Sequence, residues 1–250
     1  MDTYFDFLRK SISLLVVDDD QSQLDFYDEI LSGHPLYKIT KASTAKDAEQ
    51  ILKSSPHIHL CILDFGIDDV GSDEYYLLKK YSYRLPVVII SGSADLERAF
   101  VASNLGAAGM IAKPPEVASQ KFWNTLSKAF LDRVILPAVP QTANPIFVSS
   151  CRIIQSDLPE SVSAWAAKAN ISDTYLRRLW SECYAIPPKH ILFLYKTYKQ
   201  AFTYFDAHYI NEINNTQISI TEPDQEEYRR VKNYYIQNKY DLDLIRDKTQ

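Results

Sequence analysis

Four short apolar runs in the first half of the chain each end on a residue able to handle charge. Ser13-Leu14-Leu15-Val16-Val17 runs into Asp18-Asp19-Asp20, and Ile58-His59-Leu60-Cys61-Ile62-Leu63 into Asp64. Pro86-Val87-Val88-Ile89-Ile90 runs into Ser91, and Ala108-Gly109-Met110-Ile111-Ala112 into Lys113. Carboxylates gathered from two such ends repel one another and invite a hard divalent cation, for which Mg²⁺ is the natural choice. Asp64 stands alone at its run end, placed to act as a nucleophile toward phosphorus. Ser91 and Lys113 supply a hydroxyl and a cation for the oxygens of a phosphoryl group in transfer. These are the parts of an acyl-phosphate site.

The runs must bring those residues to one place. They are too short for helices and apolar on both faces, as buried parallel strands are. A fifth strand is expected at Tyr37-Lys38-Ile39-Thr40. The segments between, about 21–32, 44–54, 73–82, 95–105 and 117–134, read as amphipathic helices. Strand and helix in strict alternation predict an α/β doubly wound parallel sheet of five strands with helices on both faces. Such a sheet binds ligands beyond the carboxyl ends of its strands, where the polar residues stand.

The 250 residues are 46% hydrophobic and 24% charged, enough apolar content to bury two cores. No run approaches the roughly 18–20 uncharged apolar residues of a membrane span. The start, Met1-Asp2-Thr3-Tyr4-Phe5-Asp6, lacks the basic opening of a secretion signal. Cys61, Cys151 and Cys183 are widely spaced, which excludes a disulfide framework and a paired-cysteine zinc site. The chain reads as a reduced, cytoplasmic protein without membrane contact. Its net charge of −5 hides an asymmetry. Residues 1–135 carry 14 basic and 19 acidic groups, whereas residues 161–200 carry 6 basic and 2 acidic. A local basic patch fits either a phosphate-backbone contact or a solvated helix face.

Three prolines between 136 and 145 cannot continue a helix. The expected division is a first domain over 1–135, a proline-rich linker over 136–150 and a mainly helical domain over 151–250. The one possible strand in the last part is Gln217-Ile218-Ser219-Ile220. Val162, Trp165, Ala166 and Ala169 fall at helical spacing, and Asn170 follows where the chain must turn sharply. Asparagine tolerates the left-handed conformation such a turn needs. Ser172 and Asp173 suit the start of the next helix, about 173–184. One face of that helix carries Leu176, Leu179, Trp180 and Cys183, and the other Thr174, Arg177, Arg178 and Ser181. The stretch 161–184 is therefore a helix–tight turn–helix with hydrogen-bonding groups on its second helix.

Residues 10–135 resemble the receiver domain of two-component response regulators. The resemblance rests on Leu15-Val16-Val17-Asp18-Asp19-Asp20, Leu63-Asp64, Ile89-Ile90-Ser91-Gly92 and Gly106 to Pro114. It implies that a sensor histidine kinase phosphorylates Asp64. It also implies that Asp18 and Asp19 hold Mg²⁺ beside Asp64, with the Gly66 carbonyl as a further ligand. Lys113 pairs with the acceptor or its phosphate, and Pro114 follows a cis bond. The sequence departs from the pattern at Asp68, where the family has proline, and at Met110, where it has its switch aromatic. Asp20 reads as a helix cap rather than a ligand.

Residues Ser161–Lys189 resemble the first helix-turn-helix of AraC-type transcription regulators. The matching pieces are Ala166, Ile171-Ser172, Tyr175-Leu176, Arg178-Leu179-Trp180 and Ile186-Pro187-Pro188, with a long connecting helix from about Pro188. This resemblance implies DNA contacts by Thr174, Arg177, Arg178 and Ser181. Asn170 and Ala185 replace two glycines of the pattern, and no second helix-turn-helix follows, so a homodimer or another contact must add affinity. Two functions stay open: a phosphorylated regulator with a DNA-binding output, and a phosphorylation-gated module that binds a protein. His34, His57, His59, His190 and His208 make no spaced metal set and read as loop or surface residues. Tyr195, Tyr198, Phe202, Tyr204 and Phe205 read as core packing or a dimer face.

Overall fold

The computed structural model describes residues 4–55, 57–65, 72–92, 96–115, 117, 119–136, 143–184, 186–215, 222, 224–238 and 242. Gly66, Asp68, Ala185, the expected strand at 217–220 and linker residues 137–142 lie outside the described residues. The chain forms two compact units, one of residues 1–130 with 201–223 and the other of residues 131–200 with 224–250.

The first unit is built on five parallel strands: β1 (Ile12–Val17), β2 (Tyr37–Ala42), β3 (Leu60–Asp64), β4 (Val87–Ser91) and β5 (Gly109–Ala112). Their order across the sheet is β2-β1-β3-β4-β5. Valine, leucine and isoleucine fill β1, β3 and β4, and those strands are buried nearly throughout, as a sheet covered on both faces requires. Helices α1 (Gln21–Gly33), α2 (Ala45–Ser54), α3 (Asp73–Tyr81), α4 (Leu96–Asn104) and α5 (Gln120–Phe130) alternate with them. Local chemistry sets three of the starts. The side chains of Asp20, Thr44 and Ser72 accept hydrogen bonds from the first free amides of α1, α2 and α3. Where the sequence predicts one helix to 134, α5 stops at Phe130 and a π-helical turn occupies Leu131–Ile135.

Two expectations change here. The sequence places the first domain within 1–135, yet residues 201–223 pack with it. They include the end of helix α9, whose range Pro188–Asn214 starts in the other unit. From this segment Phe202 meets Tyr37 of β2 and Phe130 of α5, Tyr209 meets Trp123 of α5, and Phe205 meets His34. The second change concerns the histidines. His34 is fully buried at the end of α1, stacked on Trp123 with ring centroids 4.9 Å apart. Its Nδ1 accepts the Leu36 amide at 3.3 Å, which puts the ring proton on Nε2, 3.1 Å from Asp206 Oδ1. His59 is buried too, its Nδ1 accepting the Ser13 amide at 3.0 Å. Both rings meet the rule that buried polar groups are hydrogen-bonded.

The second unit holds the helices α6 (Pro145–Asp157), α7 (Val162–Lys168) and α8 (Asp173–Tyr184), the start of α9, and α10 (Gln225–Asn238). Asn144 caps α6 ahead of a proline in its first turn, and Ser161 caps α7. Asn170 takes the left-handed conformation, φ 53°, in the tight turn before α8. The core is a pair of buried tryptophans, Trp165 and Trp180, with ring centroids 4.9 Å apart. Ser150 satisfies both indoles: its carbonyl accepts from Trp165 at 2.9 Å and its hydroxyl from Trp180 at 3.0 Å. Cys183, expected on the buried stripe of α8, is exposed. Tyr184 is buried instead, its hydroxyl 3.4 Å from the Ile135 carbonyl. Among the described residues no helix is long and apolar enough to cross a membrane.

Candidate functional site

The strand register brings the predicted residues to one rim of the sheet. Val17 pairs with Leu63, Asp64 with Ile90 and Ser91 with Ala112, so Asp18, Asp64, Ser91 and Lys113 leave neighbouring strands at the same level. Asp18 and Ser91 are buried, Asp64 is partly open and Asp19 is exposed. Lys113 Nζ lies 2.8 Å from Asp18 Oδ2 and 2.9 Å from Asp64 Oδ2. The peptide bond from Lys113 to Pro114 is cis, as the receiver resemblance implies.

One carboxylate oxygen from each of Asp18, Asp19 and Asp64 can be chosen so that all lie within 4.8 Å of one another. Three hard oxygen donors at that spacing suit a small divalent cation. The Gly66 carbonyl, the fourth expected ligand, lies outside the described residues. Asp20 stands apart: its carboxylate accepts from the Ser22 amide at 2.8 Å and the Ser22 hydroxyl at 2.7 Å, the geometry of a helix cap.

The electrostatics follow from burial and pairing. Burial raises the Asp18 carboxyl above its ordinary value, and the hydrogen bond from Lys113 opposes this. Burial works to lower Lys113, but its bonds to Asp18 and Asp64 outweigh it and the ammonium is held more firmly protonated. The site thus keeps a cation bridging two carboxylates, poised to follow negative charge added to either. Sequence reasoning missed Tyr27 on α1. Among the described residues its buried hydroxyl has no hydrogen-bond partner, and it is raised by burial and by the charges of Asp18 and Asp64. Only the helical register of α1, which turns Leu24, Tyr27 and Leu31 inward, signalled it. Met110 is half-buried against the apolar cluster that holds Leu78, Ile89 and Ala102.

In the second unit, Thr174, Arg177, Arg178 and Ser181 share the exposed face of α8, as predicted. Most of their polar groups have local partners. Arg177 clamps Asp173, Arg178 lies 3.7 Å from Glu182 and over the Tyr175 ring, and the Ser181 hydroxyl donates to the Arg177 carbonyl at 2.9 Å.

Residues 14–121 match the family of response regulator receiver domains. The chain is 25% identical over 137 residues to a protein-glutamate methylesterase/protein-glutamine glutaminase 3 of Paramagnetospirillum magneticum, covering 54% of this chain and 38% of that protein. It is 33% identical over 104 residues to the transcriptional regulatory protein PmrA of Pectobacterium parmentieri, covering 41% of this chain and 46% of that protein. Among solved structures, a CheY-like response regulator receiver domain protein from Methanospirillum hungatei is 28% identical, with a TM-score of 0.36 over 41% of this chain and 82% of that one. The chain spans less than half the length of either curated relative it matches. The family match falls on the same strands whose ends gather the carboxylates and the lysine. Residues 14–121 of this chain are a response regulator receiver domain.

Proposed function

We propose that the chain is a cytoplasmic two-component response regulator, a signalling protein rather than an enzyme, whose phosphoacceptor is Asp64. The observation that carries this is the Lys113 ammonium bridging Asp18 and Asp64 at the mouth of the carboxylate cluster. A sensor histidine kinase supplies the phosphoryl group. An Asp64 carboxylate oxygen attacks phosphorus, the bond from phosphorus to the kinase histidine breaks, and an acyl phosphate forms on Asp64. Lys113 moves with the new charge to a phosphoryl oxygen, and the Ser91 hydroxyl donates to another. Asp18, Asp19, Asp64 and the Gly66 carbonyl would hold Mg²⁺, which when bound offsets the crowded negative charge.

One expected result separates ligand from cap. Asp19→Ala weakens Mg²⁺ binding by about tenfold or more, whereas Asp20→Ala leaves it nearly unchanged and costs about 1 kcal/mol of stability through the lost cap. Calorimetric titration with MgCl₂ giving equal affinities for the two variants removes Asp19 from the metal site.

For the second unit we propose a DNA-binding helix-turn-helix of AraC type that regulates transcription, acting as a homodimer. The left-handed Asn170 between α7 and α8, and the exposed row Thr174, Arg177, Arg178 and Ser181, support it. Arg177 and Arg178 stand about 100° apart around α8. Each is able to reach a base edge or a phosphate. A second reading, a phosphorylation-gated protein-interaction module, is favoured by the local pairing of both arginines with Asp173 and Glu182. Duplex DNA titrated at several salt concentrations decides between them, because phosphate contacts give a steep salt slope. In the DNA reading, Arg177→Ala with Arg178→Ala lowers affinity by about 1–3 kcal/mol for each lost base contact and leaves Asp64 labelling intact. Equal binding by parent and double variant transfers the assignment to protein interaction.

A further inference from the structure

We infer that Tyr27 is a positioning residue of the phosphorylated site: when Lys113 leaves Asp18 for the phosphoryl group on Asp64, the Tyr27 hydroxyl donates to the Asp18 carboxylate in its place. The inference rests on Asp64 being the phosphoacceptor. Tyr27 is 1% exposed, and among the described residues its hydroxyl has no hydrogen-bond partner. A buried hydroxyl without a partner is costly and uncommon, and its presence calls for a function. Tyr27 faces inward from α1 with Leu24 and Leu31. Helix α1 starts at Gln21, directly after β1 and the aspartates at its end, so its N-terminus stands at the carboxylate rim. Side chains on a helix lean toward its N-terminus, which tips the Tyr27 phenol toward that rim. The charges of Asp18 and Asp64 both bear on the hydroxyl, Asp18 the more strongly.

The matching need is at Asp18, which is 2% exposed. Its Oδ1 accepts the Asp20 amide at 3.0 Å and its Oδ2 the Lys113 ammonium at 2.8 Å. Lys113 also reaches Asp64 Oδ2 at 2.9 Å, so it is the group that follows the phosphoryl charge. Its departure takes the cation from a buried carboxylate oxygen, which is costly. A phenol fixed by its ring in the core cannot follow the phosphoryl group away as an ammonium on a flexible stem does. The need holds with Mg²⁺ on Asp18, because a carboxylate that holds a metal is itself oriented by hydrogen bonds. In the resting site Lys113 satisfies Asp18 and Tyr27 is idle; in the phosphorylated site the two exchange.

Tyr27→Phe removes the hydroxyl and keeps the ring, and Tyr37→Phe is its control. The Tyr37 hydroxyl is likewise buried with no partner among the described residues, but Tyr37 pairs with Ile12 at the start of β1, at the end of the sheet away from Asp18. The full chain and both variants are labelled with acetyl phosphate and MgCl₂ and followed by intact mass, and each resting chain is melted. Tyr27→Phe labels about tenfold more slowly than the parent, the loss of one charge-assisted hydrogen bond made in the transition state. Its resting midpoint is no lower than the parent's, because a hydroxyl without a partner has been removed. Tyr37→Phe labels at the parent rate. A resting Tyr27→Phe midpoint below the parent's makes the residue merely structural and overturns the inference, as does labelling of Tyr27→Phe at the parent rate or equal slowing in both variants. A parent chain that takes no phosphoryl group overturns the Asp64 reading as well; any of the other results in a parent that labels overturns the Tyr27 role alone.

Discussion

Incubation with acetyl phosphate and MgCl₂ adds one phosphoryl group to the parent chain and none to Asp64→Asn, as read by intact mass. The amide keeps the size of the carboxylate and loses its nucleophilic charge, so the effect is total rather than graded. Lys113→Ala retains the nucleophile but loses the cation that lies 2.9 Å from it. Labelling then slows by about 10²-fold, the usual cost of removing one preorganised partner of a transferred group. Labelling of Asp64→Asn at the parent rate moves the acceptor elsewhere, and unchanged labelling of Lys113→Ala ends the role given to the lysine.

The second large effect lies away from Asp64, at His34 and Asp206. Both side chains are almost fully buried, at 0% and 2% exposure, and their contact at 3.1 Å ties the end of α1 to the end of α9. Asp206→Ala strands the His34 Nε2–H in an apolar aromatic setting and lowers stability by about 1–3 kcal/mol. Asp206→Asn keeps an acceptor there and costs about 1 kcal/mol. Urea unfolding of the two variants checks the difference, and equal midpoints refute it. A pH dependence follows. Burial raises the Asp206 carboxyl, so the folded state holds its proton at pH values where the unfolded chain has released it. Its contribution to stability therefore falls as pH rises from about 4 toward the raised value. Asp206→Asn removes that part of the slope.

Much of the receiver unit was legible because its signals are local. A run such as Leu14 to Val17 reads as a buried strand wherever it sits, and its end fixes Asp18 at a ligand-binding rim. Asp64 and Lys113 were found in the same way, and Asn170 marked its turn by its own backbone preference. What was illegible is long-range. Nothing around His34 distinguishes a surface histidine from one stacked on Trp123, because the partner that buries it is 172 residues away. Phe202 and Phe205 announce a helix with an apolar face but not which core receives it. Tyr27 is an ordinary inward residue of α1 until two carboxylates are placed beside it.

That separation has a consequence for synthesis. A ribosome adding about 5–20 residues each second completes the strands of the receiver well before it reaches Asp206, 172 residues beyond His34. Once Trp123 is made, it and Tyr37 lack for roughly 4–17 s the tyrosine and phenylalanine rings that later cover them. The nascent chain spends that interval with a sticky aromatic face and an unmatched imidazole. Slowing translation between the codons for 135 and 206 should therefore lower the yield of folded protein, and a chaperone that shields aromatic surface should restore it.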